Sequence, residues 1–210
     1  MHEKALPAGS RVVLDTLSRS PRAALQGWIL AGGTGLALRI GHRRSEDFDF
    51  FRTAGMDTQG LFDALEVVGP LETLQRSEGT LTVLVRGVKM SFFQVRDPFL
   101  FEPTPFRFFG IADTRDIAFM KLAAITNRGS RKDFVDLYFI LQSGPPLTDL
   151  LALMARKYGA GRTNPYQVLM SLTYFEDAEE EPMPTMLAPF TWRECTSFFV
   201  RESRMVVLPP

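Results

Sequence analysis

The stretch from Trp28 to Phe51, "WILAGGTGLALRIGHRRSEDFDFF", constrains the fold more than any other part of the chain. An apolar strand pattern, Trp28 to Leu30, runs into the turn formers Gly32 and Gly33. Thr34 is placed to cap a short helix in which Leu36 and Ile40 lie four apart. That helix ends in the basic group His42, Arg43 and Arg44, and the aromatic strand pattern "FDFF" follows. Two strands joined by one short helix commit this part of the chain to a mixed αβ layer.

The periodicity changes along the rest of the sequence. Residues 10–20 predict a short helix with Val12, Val13 and Leu17 apolar. Residues 58–68 predict an amphipathic one through Leu61, Leu65 and Val68. "TLTVLVRGVKMSFFQV", residues 80–95, predicts a hairpin turning at Arg86-Gly87. Proline and phenylalanine crowd residues 97–109, the composition of an irregular connection. Helical patterns then take over. "TRDIAFMKLAAITNRG" sets Ile117, Met120 and Ala124 on one face and stops at Gly129. "RKDFVDLYFILQSG" spaces Phe134, Leu137 and Leu141 for a core stripe and ends at Gly144. Residues 147–158 and 165–180 predict two more helices, and "EDAEEEPMPTM" a proline-broken surface linker. "TWRECTSFFVRESRM" predicts a closing helix. The expected class is α+β: an αβ lobe over 1–110 and a helical lobe over 111–210, which can pack as one bilobal unit.

Composition removes several function classes. The formal net charge is zero, so no global field draws the chain to nucleic acid or membrane. A single cysteine, Cys195, excludes an internal disulfide and a cysteine zinc cluster. No apolar run approaches the roughly 20 residues of a membrane span, and "MHEKALPAGS" lacks a signal-peptide core. The expected location is cytoplasmic.

The chemistry lies in the acids of the aromatic strand. Side chains alternate across a strand, so Asp47 and Asp49 share one face while Phe48 and Phe50 point into the core. Their Cα atoms then lie roughly 6.5 to 7 Å apart. Two carboxylates at that spacing can converge on Mg²⁺, a hard cation that shares its oxygen shell with substrate phosphates. Two such ions about 3.5 to 4 Å apart would stabilise the attacking and leaving oxygens of a phosphoryl displacement. An isolated D-x-D is more often a solvated strand face. Here, Gly32 and Gly33 let the backbone approach a ligand, and the helix opening near Thr34 aims free N–H groups at an anion. Glycines also occupy such turns for steric reasons alone, and neither a P-loop nor a G-x-G-x-x-G is present.

Together these residues resemble the signature of the AbiEii/AbiGii-type nucleotidyltransferase toxins, part of the DNA polymerase β-like nucleotidyltransferase superfamily. The pattern is Gly-Gly-Thr, a short helix, then H-R-x-S-x-D-x-D-F-F. It is matched by Gly32, Gly33, Thr34, His42, Arg43, Ser45, Asp47, Asp49, Phe50 and Phe51. A second block, "DIAFMKLAAITNRGSRKDFVDLYFIL", resembles the family too. Its lysine falls on Lys121 and its K-D-F-x-D-L-Y run on Lys132, Asp133, Phe134, Asp136, Leu137 and Tyr138. The resemblance covers about residues 26–142.

The resemblance implies a small mixed sheet carrying the glycine turn and the D-x-D strand, a helical C-terminal lobe, and a site in the cleft between them. It implies an Mg²⁺-dependent enzyme that moves a nucleoside monophosphate from an NTP to an acceptor, in some members the 3′ end of tRNA. A cognate antitoxin protein is the implied partner. By match, Gly32, Gly33 and Thr34 hold the triphosphate, with Arg43, Ser45 and Lys132 completing the nucleotide-binding set. Asp47 and Asp49 are the metal ligands and catalytic carboxylates. Lys121 reaches a phosphate from the helical lobe, and Asp136 is catalytic beside it. Lys132, Asp133 and Asp136 can share a helix face, where the alternative for Lys132–Asp136 is a simple surface ion pair.

Such enzymes usually carry a third carboxylate on a neighbouring strand. In "VKMSFFQV" the residues Lys89, Ser91 and Phe93 alternate on one face, and Ser91 stands where the acid is expected. Serine supplies no anionic oxygen, which leaves Glu46, Asp97 or Asp113 to compensate. Ser91 favours a second reading, a catalytically impaired nucleotide-binding or protein-interaction module on the same fold. A third is a phosphotransferase acting on a small-molecule acceptor. Arg39, Arg43, Arg44, Lys121, Arg128, Arg131 and Lys132 form either a basic rim suited to NTP or an RNA end, or scattered surface charge. Phe92, Phe93, Phe99, Phe101, Phe106, Phe108 and Phe109 are more readily core than a base-stacking surface.

Overall fold

A computed structural model describes residues 1–19, 23–159 and 161–207. The chain divides into two units, Met1–Asp113 and Thr114–Pro210. The fold is α+β.

The first unit contains the strands β1 (Ile29–Leu30), β2 (Phe48–Arg52), β3 (Leu71–Ser77), β4 (Thr80–Val85), β5 (Val88–Gln94), β6 (Thr104–Phe106) and β7 (Phe109–Ile111). They form one mixed sheet in the order β3-β4-β5-β2-β1-β7-β6. β2 runs parallel to β5, and β1 parallel to β7. The other neighbours are antiparallel. Helices α1 (Ala8–Arg19), α2 (Gly32–Ile40) and α3 (Thr58–Leu65) accompany the sheet. Ser20, the last residue of the first expected helix, lies outside the described residues.

Phe48 and Phe50 are fully buried, as the alternation along β2 requires. Phe50 stacks on Phe92, its register partner on β5, with centroids 5.1 Å apart. Trp28 meets Phe92 edge-on at 5.1 Å, and Phe109 meets Phe50 edge-on at 5.2 Å. Phe106 and Phe108 pack against the same cluster. The phenylalanines near β7 are therefore core and not a stacking platform. Val13, Leu14 and Leu17 of α1 join this core, whereas Val12 is exposed.

The hairpin expected over 80–95 is β4–β5. Arg86 and Gly87 both have positive φ, 51° and 75°, the type I′ geometry whose twist matches the flanking strands. Two strands escape the sequence pattern. β3 is half-buried at Leu71 and exposed thereafter, so no alternation marks it. The supposedly irregular 97–109 contains β6 and the start of β7. The turn between them is held through Arg107, at φ 54°, whose guanidinium bonds Glu3 and Asp15.

The second unit contains α4 (Thr114–Arg128), α5 (Arg131–Ser143), α6 (Leu147–Tyr158), α7 (Pro165–Ser171), α8 (Glu176–Glu180) and α9 (Trp192–Met205). Phe134 of α5 is buried beneath Phe175, Trp192 and Phe199. The single helix expected over 165–180 is two, α7 and α8. The start of the acidic "linker" is thus helical. The Arg131 guanidinium donates to the carbonyls of Ala178 and Glu179, and the Glu181 carboxylate accepts from the Arg131 backbone N–H. These bonds satisfy the end of a helix too short to stand alone. The buried stripe of α4 is Ile117, Ala118, Lys121, Leu122 and Ile125, with Met120 and Ala124 only half-buried. Among the described residues, no helix is long and apolar enough to cross a membrane.

Candidate functional site

α2 starts at Gly32, so Thr34 lies inside its first turn and not at its cap. Ala31 holds the N-cap position and offers no side-chain bond. Helix geometry therefore leaves the N–H groups of Gly32, Gly33 and Thr34 without intrahelical acceptors. The Thr34 hydroxyl donates instead to the Asp47 carbonyl and shares a 2.8 Å hydrogen bond with the Ser45 hydroxyl. This pins the helix opening to the segment that enters β2.

The glycines are required by what surrounds them. A Cβ on Gly33 would stand 2.3 Å from Arg43 Nη2 and 3.3 Å from Ser45 Oγ. Arg43 is 5% exposed, and its Nη1 donates to the Arg44 carbonyl at 3.0 Å. Arg43 and Ser45, matched to the nucleotide-binding set, thus brace the turn. Gly32 has φ +61°, and a Cβ there would meet Asp49 Oδ2 at 3.2 Å.

That contact locates the first carboxylate. Asp49 lies over the opening of α2, where the helix dipole favours negative charge. Asp47 immediately precedes β2, with its side chain 52% exposed. Asp49 is in register with Ser91 on β5, and Phe48 with Met90. Parallel register therefore sets Lys89 beside Asp47 and Ser91 beside Asp49 on one sheet face. Lys89 Nζ stands 3.8 Å from Asp47 Oδ2. The sequence pattern put Lys89 on this face but assigned it nothing. Among the described residues, no group of three or more His, Cys, Asp and Glu is arranged to hold a metal. Glu46, Asp97 and Asp113 therefore do not complete the pair. The donors present, two carboxylates beside a helix opening, suit one Mg²⁺ that completes its shell with phosphate oxygens and water.

The second unit holds a different cluster. Lys121 Nζ lies 2.7 Å from Asp133 Oδ1 and 2.6 Å from Asp136 Oδ2, and both carboxylates are fully buried. Asp133 Oδ2 also accepts from Ser130 Oγ at 2.7 Å and from Arg128 Nε at 3.1 Å. Burial pulls the Lys121 pKa down, but Asp136 and Asp133 outweigh it and hold the ammonium above its ordinary 10.5. Burial pushes the Asp133 carboxyl up, yet Lys121, Ser130 and Arg128 bring it below 3.8. A lysine enters the buried stripe of α4 because two acids three apart on α5 neutralise it. Asp133 and Asp136 do share a face, as the spacing requires, but they turn to Lys121. Lys132 is exposed on the same helix.

The basic-rim reading loses four members, the buried Arg43 that braces the turn among them. Arg39 donates to the Ala112 and Ile111 carbonyls and to Thr104 Oγ1, tying α2 to β6 and β7; burial lowers its pKa. Arg131 caps α8 and lies over the Trp192 ring at 4.8 Å. Lys121 is buried among carboxylates.

The chain is similar to several known proteins. An uncharacterised protein of Aquifex aeolicus is 40% identical over 179 residues, 82% of this chain and 84% of that protein. The nucleotidyltransferase toxin MenT4 of Mycobacterium tuberculosis is similar in structure, with TM-score 0.58 and 16% identity over 91% of this chain and 79% of its own. JHP933 of Helicobacter pylori is similar with TM-score 0.55 and 16% identity, over 97% of this chain and 89% of its own. The family described as "Nucleotidyl transferase AbiEii toxin, Type IV TA system" matches residues 15–77 and 91–202, which contain the glycine turn, Asp47, Asp49 and the whole Lys121 cluster. The chain therefore belongs to the AbiEii nucleotidyltransferase toxins of type IV toxin–antitoxin systems, a family of nucleotide-transferring enzymes.

Proposed function

We propose that this toxin uses Mg²⁺ to transfer a nucleoside monophosphate from an NTP to the 3′ end of tRNA in the cytoplasm. One observation carries the reading: the Asp49 carboxylate converges on the uncapped opening of α2, with Asp47 on the same side of the strand. The N–H groups of Gly32, Gly33 and Thr34 take triphosphate oxygens, since a helix opening is an anion site. Asp47 and Asp49 hold the metal. A metal held there would supply positive charge to offset that of the phosphates. Arg43 and Ser45 fix the turn from behind and act on the nucleotide through its geometry.

In the helical unit, Lys121 is kept charged by Asp136 and Asp133 but is committed to both, so it contacts a phosphate only by giving up one of them. Asp136 acts by positioning that ammonium. Lys132, exposed beside them, is open to an anionic ligand.

The test is calorimetric binding of each of the four NTPs with Mg²⁺ to wild type and to Asp47→Asn/Asp49→Asn. Metal-dependent binding present in wild type and absent from the variant is expected, followed by transfer of label from α-labelled NTP to total tRNA. Equal binding by both proteins would remove the carboxylates from the site. Label moved to a small molecule, or to no acceptor, would remove tRNA. Ser91, buried beside Asp49 where an acid is expected, favours a binding module that takes up NTP and moves no label.

A further inference from the structure

The carboxylate face of the sheet carries a cation with no structural need to be there. Lys89 lies on β5 between buried neighbours Val88 and Met90, and its side chain is 42% exposed. Its partner Asp47 is 3.8 Å away and 52% exposed. That distance is beyond a hydrogen bond, and an ion pair so exposed adds little to stability. The ammonium is thus free to exchange Asp47 for another anion at small cost.

Charge gives that freedom a use. Asp47, Asp49 and Lys89 sum to a single negative charge, and no third carboxylate joins them among the described residues. One divalent ion turns the sum into a single positive charge. Three carboxylates holding two divalent ions reach the same value. On the sheet face itself, two carboxylates and one ion without the lysine would reach only neutrality, with Arg43 behind the turn as the other cation near the site. Geometry agrees, because the pair is bracketed by positive groups. The opening of α2 lies at Asp49, and the Lys89 ammonium lies at Asp47.

We propose that Lys89 is a phosphate-contacting residue of this site and takes the place of a second metal ion. The inference rests on the reading of Asp47 and Asp49 as Mg²⁺ ligands. The site then works with one ion, and Lys89 moves from Asp47 to a phosphate oxygen when the triphosphate arrives.

Two titrations on the full chain test this without any turnover. The first is calorimetry with inorganic tripolyphosphate in excess Mg²⁺, the state in which the site carries positive charge, and it isolates phosphate binding from the base. The second is Mn²⁺ binding without nucleotide, followed by electron paramagnetic resonance. Lys89→Met is expected to bind tripolyphosphate about tenfold more weakly and Mn²⁺ about tenfold more tightly, because a like charge near the metal is gone. Lys89→Arg restores both. Unchanged melting in both variants shows an intact fold. The tripolyphosphate titration decides: equal binding by wild type and Lys89→Met overturns the proposal whatever Mn²⁺ does. Asp47→Asn/Asp49→Asn reports separately on the underlying reading. If that variant still binds Mn²⁺ as wild type does, the metal assignment fails, while the lysine's effect on tripolyphosphate stands or falls by itself.

Discussion

Two of the lysines that lie beside aspartates in this chain, Lys121 and Lys89, do so in opposite ways. Lys121 is buried, with two fully buried carboxylates at 2.6 and 2.7 Å. Lys89 is half-exposed, 3.8 Å from a carboxylate that is itself half-exposed. In the first case the charges hold one another, because ions buried in a low-dielectric interior need close partners. In the second, water already solvates both partners, so the pair is loose and open to exchange. The same residue types thus make a structural lock in the helical unit and an available pair of charges on the sheet.

The largest effect is expected from breaking the lock. Lys121→Met removes the cation that buried Asp133 and Asp136 share, at a cost of about 3–5 kcal/mol in urea unfolding of the full chain. Converting all three residues to apolar ones of similar volume is expected to recover most of that loss, since a buried ion pair seldom outperforms good packing. A loss below about 1 kcal/mol in Lys121→Met, the range of a surface pair, would erase the difference between the two lysines.

The pH dependence sharpens the same contrast. Asp133 is depressed in the folded state, so its contribution is present above 3.8 and is lost as pH falls through the lowered value. Lys121 is raised, so its contribution is full below 10.5 and is lost as pH rises through the raised value. Between those limits the cluster contributes a constant amount. Wild type minus Lys121→Met, measured by urea unfolding across pH, is expected to be flat in that window and to shrink on both sides. A difference that varies steeply near neutrality would mean that the cluster is not fully ionised.

A smaller loss is expected at the opening of α2. Gly32→Ala must adopt φ near +61° and places a methyl 3.2 Å from Asp49 Oδ2. The backbone term alone is about 1–2 kcal/mol. NTP binding is expected to fall together with stability, because the displaced carboxylate is a proposed metal ligand. Loss of stability with unchanged binding would separate the turn from the site.

How much of this was legible beforehand follows from burial. The strand-turn-helix-strand order and the Asp47/Asp49 face could be read because Phe48 and Phe50 bury one side of β2 completely. The β4–β5 hairpin was equally plain, its turn marked by Arg86-Gly87. β3 was not, since an exposed edge strand has no buried face to alternate with. α8 was hidden because its stability comes from Arg131, about 50 residues earlier in the chain. At the site, Lys121 and the two aspartates were found by motif, but that they bind one another depends on two helices packing, which no spacing within one helix shows. Lys89 was visible as a position and silent as a role until the β2–β5 register set it beside Asp47.

The smallest effect on the fold is expected where the effect on ligand binding is large. Lys89→Met and Asp47→Asn each remove one member of an exposed pair, and each is expected to change stability by no more than about 0.5 kcal/mol. The Lys121 cluster is the control, since the same substitution type there is expected to cost about 3–5 kcal/mol. A stability loss in Lys89→Met comparable to that in Lys121→Met would mean that Lys89 is a second lock. A negligible loss leaves the lysine without structural purpose. A cation kept between apolar neighbours, facing a pair of carboxylates that the fold does not need, is then explained by the charge of what binds there.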